Sequence, residues 1–196
     1  MNNTPQNRFL WKFTETISKI GEILFWIGTG TMIGLLIFSF VRGGDIIAWM
    51  SANAAPGFFN RMNILGCTIG TYSSDPAVQL MVLRFWAAAG ILGFGLFAMM
   101  FRDAFLILRT IQGKTKFAEG ETPFQKPVVR MIREIGIFLI ALPVCQMILQ
   151  EFAYLMIPDS NISVTMMYVF LGFLMLCLSQ CFERGVILEK ETEGLI

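Results

Sequence analysis

The chain has no histidine. That removes the commonest general base and the commonest transition-metal ligand. Charge is also scarce, at 15% of 196 residues, against roughly 25% in soluble domains. The net charge of +1 leaves no broad basic field for nucleic acid, so direct nucleic-acid binding is not expected. Only four cysteines are present, Cys67, Cys145, Cys177 and Cys181, and in the topology argued below only Cys67 falls outside the cell. An exterior disulfide within one chain is therefore excluded. No nucleophile with a nearby base and no phosphate-binding glycine loop is visible, so neither an enzyme nor a cofactor is expected, and no metal site.

What is abundant is apolar sequence: 55% of the residues are hydrophobic, and the mean hydropathy is +0.64. The apolar residues gather into four runs that lack a polar face, which a soluble core helix would show. The runs are about 21–41, 83–101, 135–156 and 164–182, each close to the roughly 20 residues that cross a bilayer. The first is too long for the apolar part of a cleavable signal peptide. The expected fold is all-α, an integral membrane four-helix bundle in contact with the lipid bilayer. Before the first run, Phe9, Phe13, Ile17 and Ile20 recur at helical spacing, which predicts an amphipathic juxtamembrane helix on the inner leaflet. Pro143 interrupts the third run and predicts a kink.

Basic residues orient the bundle. Arg8, Lys12 and Lys19 precede the first run, seven more lie between the second and third, and Arg184 and Lys190 follow the fourth. Arg42, Arg61 and Arg84 are the three on the other side, and twelve against three predicts both termini in the cytoplasm. Segments 1–20, 102–134 and 183–196 are then cytoplasmic, while 42–82 and 157–163 are exterior. The first exterior segment is long and semi-apolar, and the second reads as a tight turn. Arg84, near the outer end of its span, is expected to snorkel to the headgroups. The two hairpins differ in loop length and do not align as an inverted repeat.

Several local patterns invite a functional reading beside a bland one. In GETPFQKP, Thr122, Pro123 and Gln125 fit a capping box, with Pro123 at the first helical position; alternatively the helix starts one turn later, with Pro127 in that role. The same segment suits partner recognition. Arg130, Arg133, Glu134, Glu183 and Arg184 join Glu22, Arg102 and Asp103 in a band of charge at the inner face. Such a band anchors helices at the interface and can also form an ionic latch that a partner senses. Gln146 and Gln150 share one face of the third span and predict polar contacts to other helices. Gly30 and Gly34, and Ala89 and Gly93, are small-residue pairs suited to packing within the bundle or to a homo-oligomer. Cys177 and Cys181 read as packing residues, with S-acylation as the sharper alternative.

The order of Thr122-Pro123-Phe124, then Arg130 to Gly136, then Phe182, Gly185, Leu188 and the terminal Gly194-Leu195-Ile196 resembles a bacterial membrane family typified by YoaS, catalogued as a domain of unknown function. The resemblance implies a place in the inner membrane. It also implies a gene beside that of a Cro/repressor-type helix-turn-helix transcription regulator, and no catalytic residues. The expected function is regulatory or sensory, with Thr122, Pro123, Phe124, Arg130, Arg133, Glu134, Glu183 and Arg184 presented to a cytoplasmic partner. Two other readings stand beside it: a transporter, channel or accessory subunit, suggested by Gln146, Gln150 and Pro143, and an immunity or envelope-protection protein that binds a membrane-active peptide through segment 42–82.

Overall fold

The computed structural model describes residues 5–53, 58–116, 118, 122–157 and 160–193. The terminal Gly194-Leu195-Ile196, Gly120, Pro158 and the side chains of Arg8 and Phe9, all invoked above, lie outside the described residues. Four long helices dominate: α1 (Pro5–Val41), α3 (Pro76–Ile111), α4 (Lys126–Met156) and α5 (Met167–Glu193). A short helix, α2 (Gly43–Asn53), follows α1. All four long helices are long and apolar enough to cross a membrane. Their backbone groups bond within each helix, as hydrocarbon surroundings require. Large apolar side chains such as Ile23, Leu24, Ile27, Ile37 and Phe40 on α1 and Phe170, Phe173 and Leu174 on α5 are exposed. In water such surface would be costly, and in lipid it is matched. The chain is a multi-pass helical membrane protein.

The helices outrun the apolar runs. α1 passes without a break from the amphipathic stretch into the first run, over about 55 Å at 1.5 Å per residue. Its amphipathic part turns Phe13, Ile17 and Ile20 outward while Ser18 is buried. α3 begins at Pro76 because Asp75 caps it: Asp75 Oδ1 accepts from the Ala77 amide at 2.9 Å, and proline occupies the first helical position. α4 starts at Lys126, so the later of the two predicted starts is the one adopted, with Pro127 in the first turn. The helix continues through Pro143.

The chain divides into two compact units. The first, here the charged unit, comprises Met1–Phe25, Leu96–Ile140 and Val169–Ile196. Phe25 stacks on Phe97 and Phe101, each at 5.3 Å, and Gly21 leaves room for the Phe101 ring. α4 and α5 approach most closely where Gly136 and Gly172 face each other, since a Cβ on Gly172 would lie 2.8 Å from the Gly136 carbonyl. This glycine pair, and not Gly30 with Gly34, does the close packing expected of small residues. A side chain added at Gly30 or Gly34 meets nothing within 4 Å.

The second, the sheet unit, comprises Trp26–Gly95 and Ala141–Tyr168. Here both segments assigned to the exterior carry more structure than their sequence suggests. Segment 42–82 holds α2, a 3-10 turn (Phe58–Asn60) and strands β1 (Met62–Ile64) and β2 (Cys67–Thr71). The predicted tight turn at 157–163 contributes strand β3 (Ser160–Val164). The three strands form an antiparallel sheet in the order β1-β2-β3, with Ile64 opposite Cys67 and Ile69 opposite Ile162. All five β2 residues are buried. Leu65 and Gly66 make the hairpin, with φ of 49° and 81°. Both positive values match a type I′ turn, and leucine is strained there. The Leu65 side chain gains a place against Gly93 in return. Around the sheet, Ile46, Phe59, Met62, Ile64, Val82 and Leu83 form one core with Ala153 and Ile157.

Gly70 sits with its Cα against the backbone of Asn60 and Arg61. A methyl group there meets carbonyl atoms that no rotamer change can move. Gly70→Ala is expected to destabilise the protein by at least about 1–3 kcal/mol, read as a lowered melting midpoint in detergent, while Gly30→Ala leaves the midpoint unchanged. Equal midpoints for the two variants would contradict the sheet packing.

Candidate functional site

Within the charged unit, two short motifs far apart in sequence meet. The Phe124 ring packs 5.6 Å from that of Phe182 and lies directly on Gly185, where any side chain would collide with it. Thr122 Oγ1 donates to Glu189 Oε2 at 3.0 Å, and Gln125 Nε2 donates to the Thr122 carbonyl at 2.7 Å. Thr122 is therefore not the N-cap of a capping box; its hydroxyl is turned to α5. Two turns into α4, Arg133 donates to Glu183 at 2.9 Å, which ties this part of the chain to α5 a second time. The Thr122-Pro123-Phe124 turn thus leans on the last turns of α5.

The remaining charges pair locally or between helices. Arg130 Nε bonds Glu134 Oε1 at 2.7 Å along α4, Lys19 bonds Glu22 at 2.8 Å along α1, and Arg109 approaches Glu15 at 3.6 Å between α3 and α1. These pairs are exposed or partly exposed, so solvent screening keeps the contribution of each small. Three charges of the inner band, Arg102, Asp103 and Arg184, stand outside these pairs. Arg184 is exposed and makes no ion pair among the described residues. Asp103 is 7% exposed, and its Oδ2 is buried without a hydrogen-bond partner. The candidate partner residues are thus brought together in part: Thr122, Phe124, Arg133 and Glu183 join one contact with α5, Arg130 and Glu134 pair on α4, and Arg184 and Pro123 make no side-chain bond among the described residues.

Gln146 and Gln150 belong to the sheet unit, and their partners are not other helices. Gln150 Nε2 donates to the Ser163 carbonyl at 3.0 Å and lies 3.3 Å from Cys67 Sγ. Gln146, fully buried, reaches the Leu65 carbonyl at a long 3.5 Å, and its Oε1 has no partner. The predicted interhelical contacts are therefore helix-to-sheet contacts: the hairpin turn and β3 present carbonyls that this face of α4 satisfies. Arg84 has partners on α1. It donates to the Ser39 carbonyl at 3.0 Å, and its guanidinium lies 4.2 Å from the Phe40 ring centre, so it is tied to α1.

All four cysteines are free thiols, with Cys67 fully buried in β2 and Cys177 and Cys181 exposed on α5. Among the described residues no three metal-ligating side chains gather. The signal for the sheet contacts was present in the shared face of Gln146 and Gln150. Nothing in the sequence named their acceptors, because those are backbone carbonyls.

No family model, curated protein or solved structure matches the chain. The site is therefore interpreted from its own geometry.

Burial pushes the Cys67 thiol above its usual range, and the weaker Gln150 hydrogen bond acts the other way. Below the ordinary thiol pKa the group stays protonated, and it is also shielded. Cys67 is expected to resist a maleimide at pH 8 in the folded protein. Gln150→Ala, which frees β3 from α4, should raise its labelling rate by about tenfold or more, since one hydrogen bond of about 1.4 kcal/mol corresponds to tenfold. Mass spectrometry of labelled peptides reads both. Rapid labelling of the unaltered protein would contradict the clamp.

Proposed function

We propose that this is a regulatory membrane protein of the bacterial inner membrane, with both termini in the cytoplasm, whose charged unit holds a helix-turn-helix transcription regulator. The observation that carries the proposal is the last part of α5. The helix continues to Glu193, eleven residues past the apolar run that ends at Phe182. Over these turns Ile187 and Leu188 are 53% and 64% exposed, beside the unpaired Arg184 and the exposed Lys190 and Glu191. An apolar pair framed by charge on a protruding helix suits a groove in a soluble partner. The Phe124–Gly185 contact and the Arg133–Glu183 pair hold that helix in a defined position. The bias of basic residues supports the cytoplasmic assignment. The resemblance of the Thr122-Pro123-Phe124 and Phe182–Gly185 segments to the YoaS-like family supports the choice of partner.

For the transporter reading, Gln146 and Gln150 are engaged by the hairpin and β3, which leaves Pro143 as its remaining motivation.

Membranes carrying the intact chain are expected to retain the helix-turn-helix regulator encoded beside its gene. Ile187→Asp with Leu188→Asp should reduce retention by at least about tenfold, equivalent to 1.4 kcal/mol. Trp49→Ala in the sheet unit should leave it intact. Phe124→Ala should give an intermediate loss, through a loosened α5. Failure of the intact chain to retain the regulator, or retention unaffected by the double substitution, would overturn the proposal.

A further inference from the structure

Asp103 faces a cavity. Within the charged unit, a space of about 460 Å³ opens between α3 and the first turns of α4, inside the roughly 300–1,000 Å³ range of small-molecule pockets. Asp103 is nine-tenths buried, and its Oδ2 has no hydrogen-bond donor. A buried acceptor left open in this way calls for a donor from outside the chain. Arg102, Lys126, Arg130 and Glu134 also line the space. Arg130 and Glu134 satisfy each other at 2.7 Å. What remains is one carboxylate without a bonded donor and two cations, Arg102 and Lys126, that make no ion pair among the described residues. The third component is apolar: Met99, Leu106 and Met131 form the rest of the wall.

A ligand that complements this arrangement carries a cation and an anion a short distance apart, joined to apolar chains. We infer that the cavity binds the phosphoethanolamine head of an aminophospholipid, with the ammonium on Asp103 and the phosphate on Arg102 and Lys126. The ammonium supplies both the N–H donors and the charge that the buried carboxylate lacks. The phosphate finds two cations, Arg102 and Lys126, the latter at the first position of α4. Position points to a lipid over a soluble zwitterion. The cavity lies where the apolar run of α3 ends at Phe101 and that of α4 begins at Ile135, which is headgroup depth. Phosphatidylcholine lacks the N–H groups that Asp103 needs, and phosphatidylglycerol offers hydroxyl donors but no positive charge.

The test uses the purified full-length chain and native mass spectrometry with phosphatidylethanolamine, phosphatidylcholine and phosphatidylglycerol of matched acyl chains. A fourth arm adds soluble phosphoethanolamine as a competitor. The expected result is about tenfold preference or more for phosphatidylethanolamine over phosphatidylcholine, the ratio that 1.4 kcal/mol gives. Asp103→Asn should abolish that preference without abolishing binding. The exposed Arg102→Gln, which need not disturb folding, should weaken all three lipids together. Equal binding of the ethanolamine and choline lipids, or an unchanged preference in Asp103→Asn, would overturn the inference. Tighter binding of phosphatidylglycerol would overturn the ammonium assignment. Displacement of the lipid by soluble phosphoethanolamine at comparable concentration would overturn the lipid source.

Discussion

Contact between apolar side chains and lipid hydrocarbon is the condition on which everything else in this protein depends. The helices keep much of their large apolar surface outward, as α1 and α5 show with Ile27, Ile37, Phe170 and Phe173. Once a helix sits in lipid, burying another leucine against a neighbour gains little, because the hydrocarbon is as apolar as the leucine. Helix contacts must then come from close backbone approach, aromatic stacking and polar ties. Each is present. Gly136 meets Gly172, Phe25 stacks on two rings of α3, and Arg84 and Arg133 reach across to α1 and α5.

The same condition explains the treatment of polar groups in the sheet unit. A three-stranded sheet has two unpaired edges and a hairpin turn, each with free carbonyls. Where such groups are buried they must be met. Gln150 meets the Ser163 carbonyl of the β3 edge strand, and Gln146 approaches that of Leu65 in the turn. Two glutamines on one face of an apolar helix are thus anchors for the sheet. Their polarity marks where α4 stops packing only against apolar side chains.

How much of this was legible in the sequence follows from the range of each interaction. The four apolar runs were plain, because lipid imposes a long uniform signal on every residue. The cap at Asp75-Pro76 was equally local, but the apolar run beginning at Leu83 drew the boundary away from it. The sheet was hidden for three reasons. β1 is three residues long, the Leu65-Gly66 turn lacks the usual Asn-Gly signature, and β3 pairs with β2 from about ninety residues away. The inner charges were recognised as a band, while the burial of Asp103 depends on how α3 and α4 diverge, which no local pattern records. Thr122-Pro123-Phe124 reads in sequence as a helix start, whereas its hydroxyl and ring are turned to α5. Its packing on Gly185 explains why those two motifs occur together in one chain.

The charged unit offers the exposed Ile187 and Leu188 near the end of α5 and a cavity lined by Asp103, and the sheet unit presents the exposed aromatics Trp49 and Tyr72. All of these assignments rest on four crossings of the bilayer. The most direct test is cysteine accessibility in a background without the native cysteines, with single cysteines at Ser74, Thr165, Lys114 and Glu191. A membrane-impermeant maleimide applied to intact cells should label the first two positions, and the last two only after permeabilisation. Labelling of Ser74 and Lys114 from the same side would mean that α3 does not cross, and the account would fail.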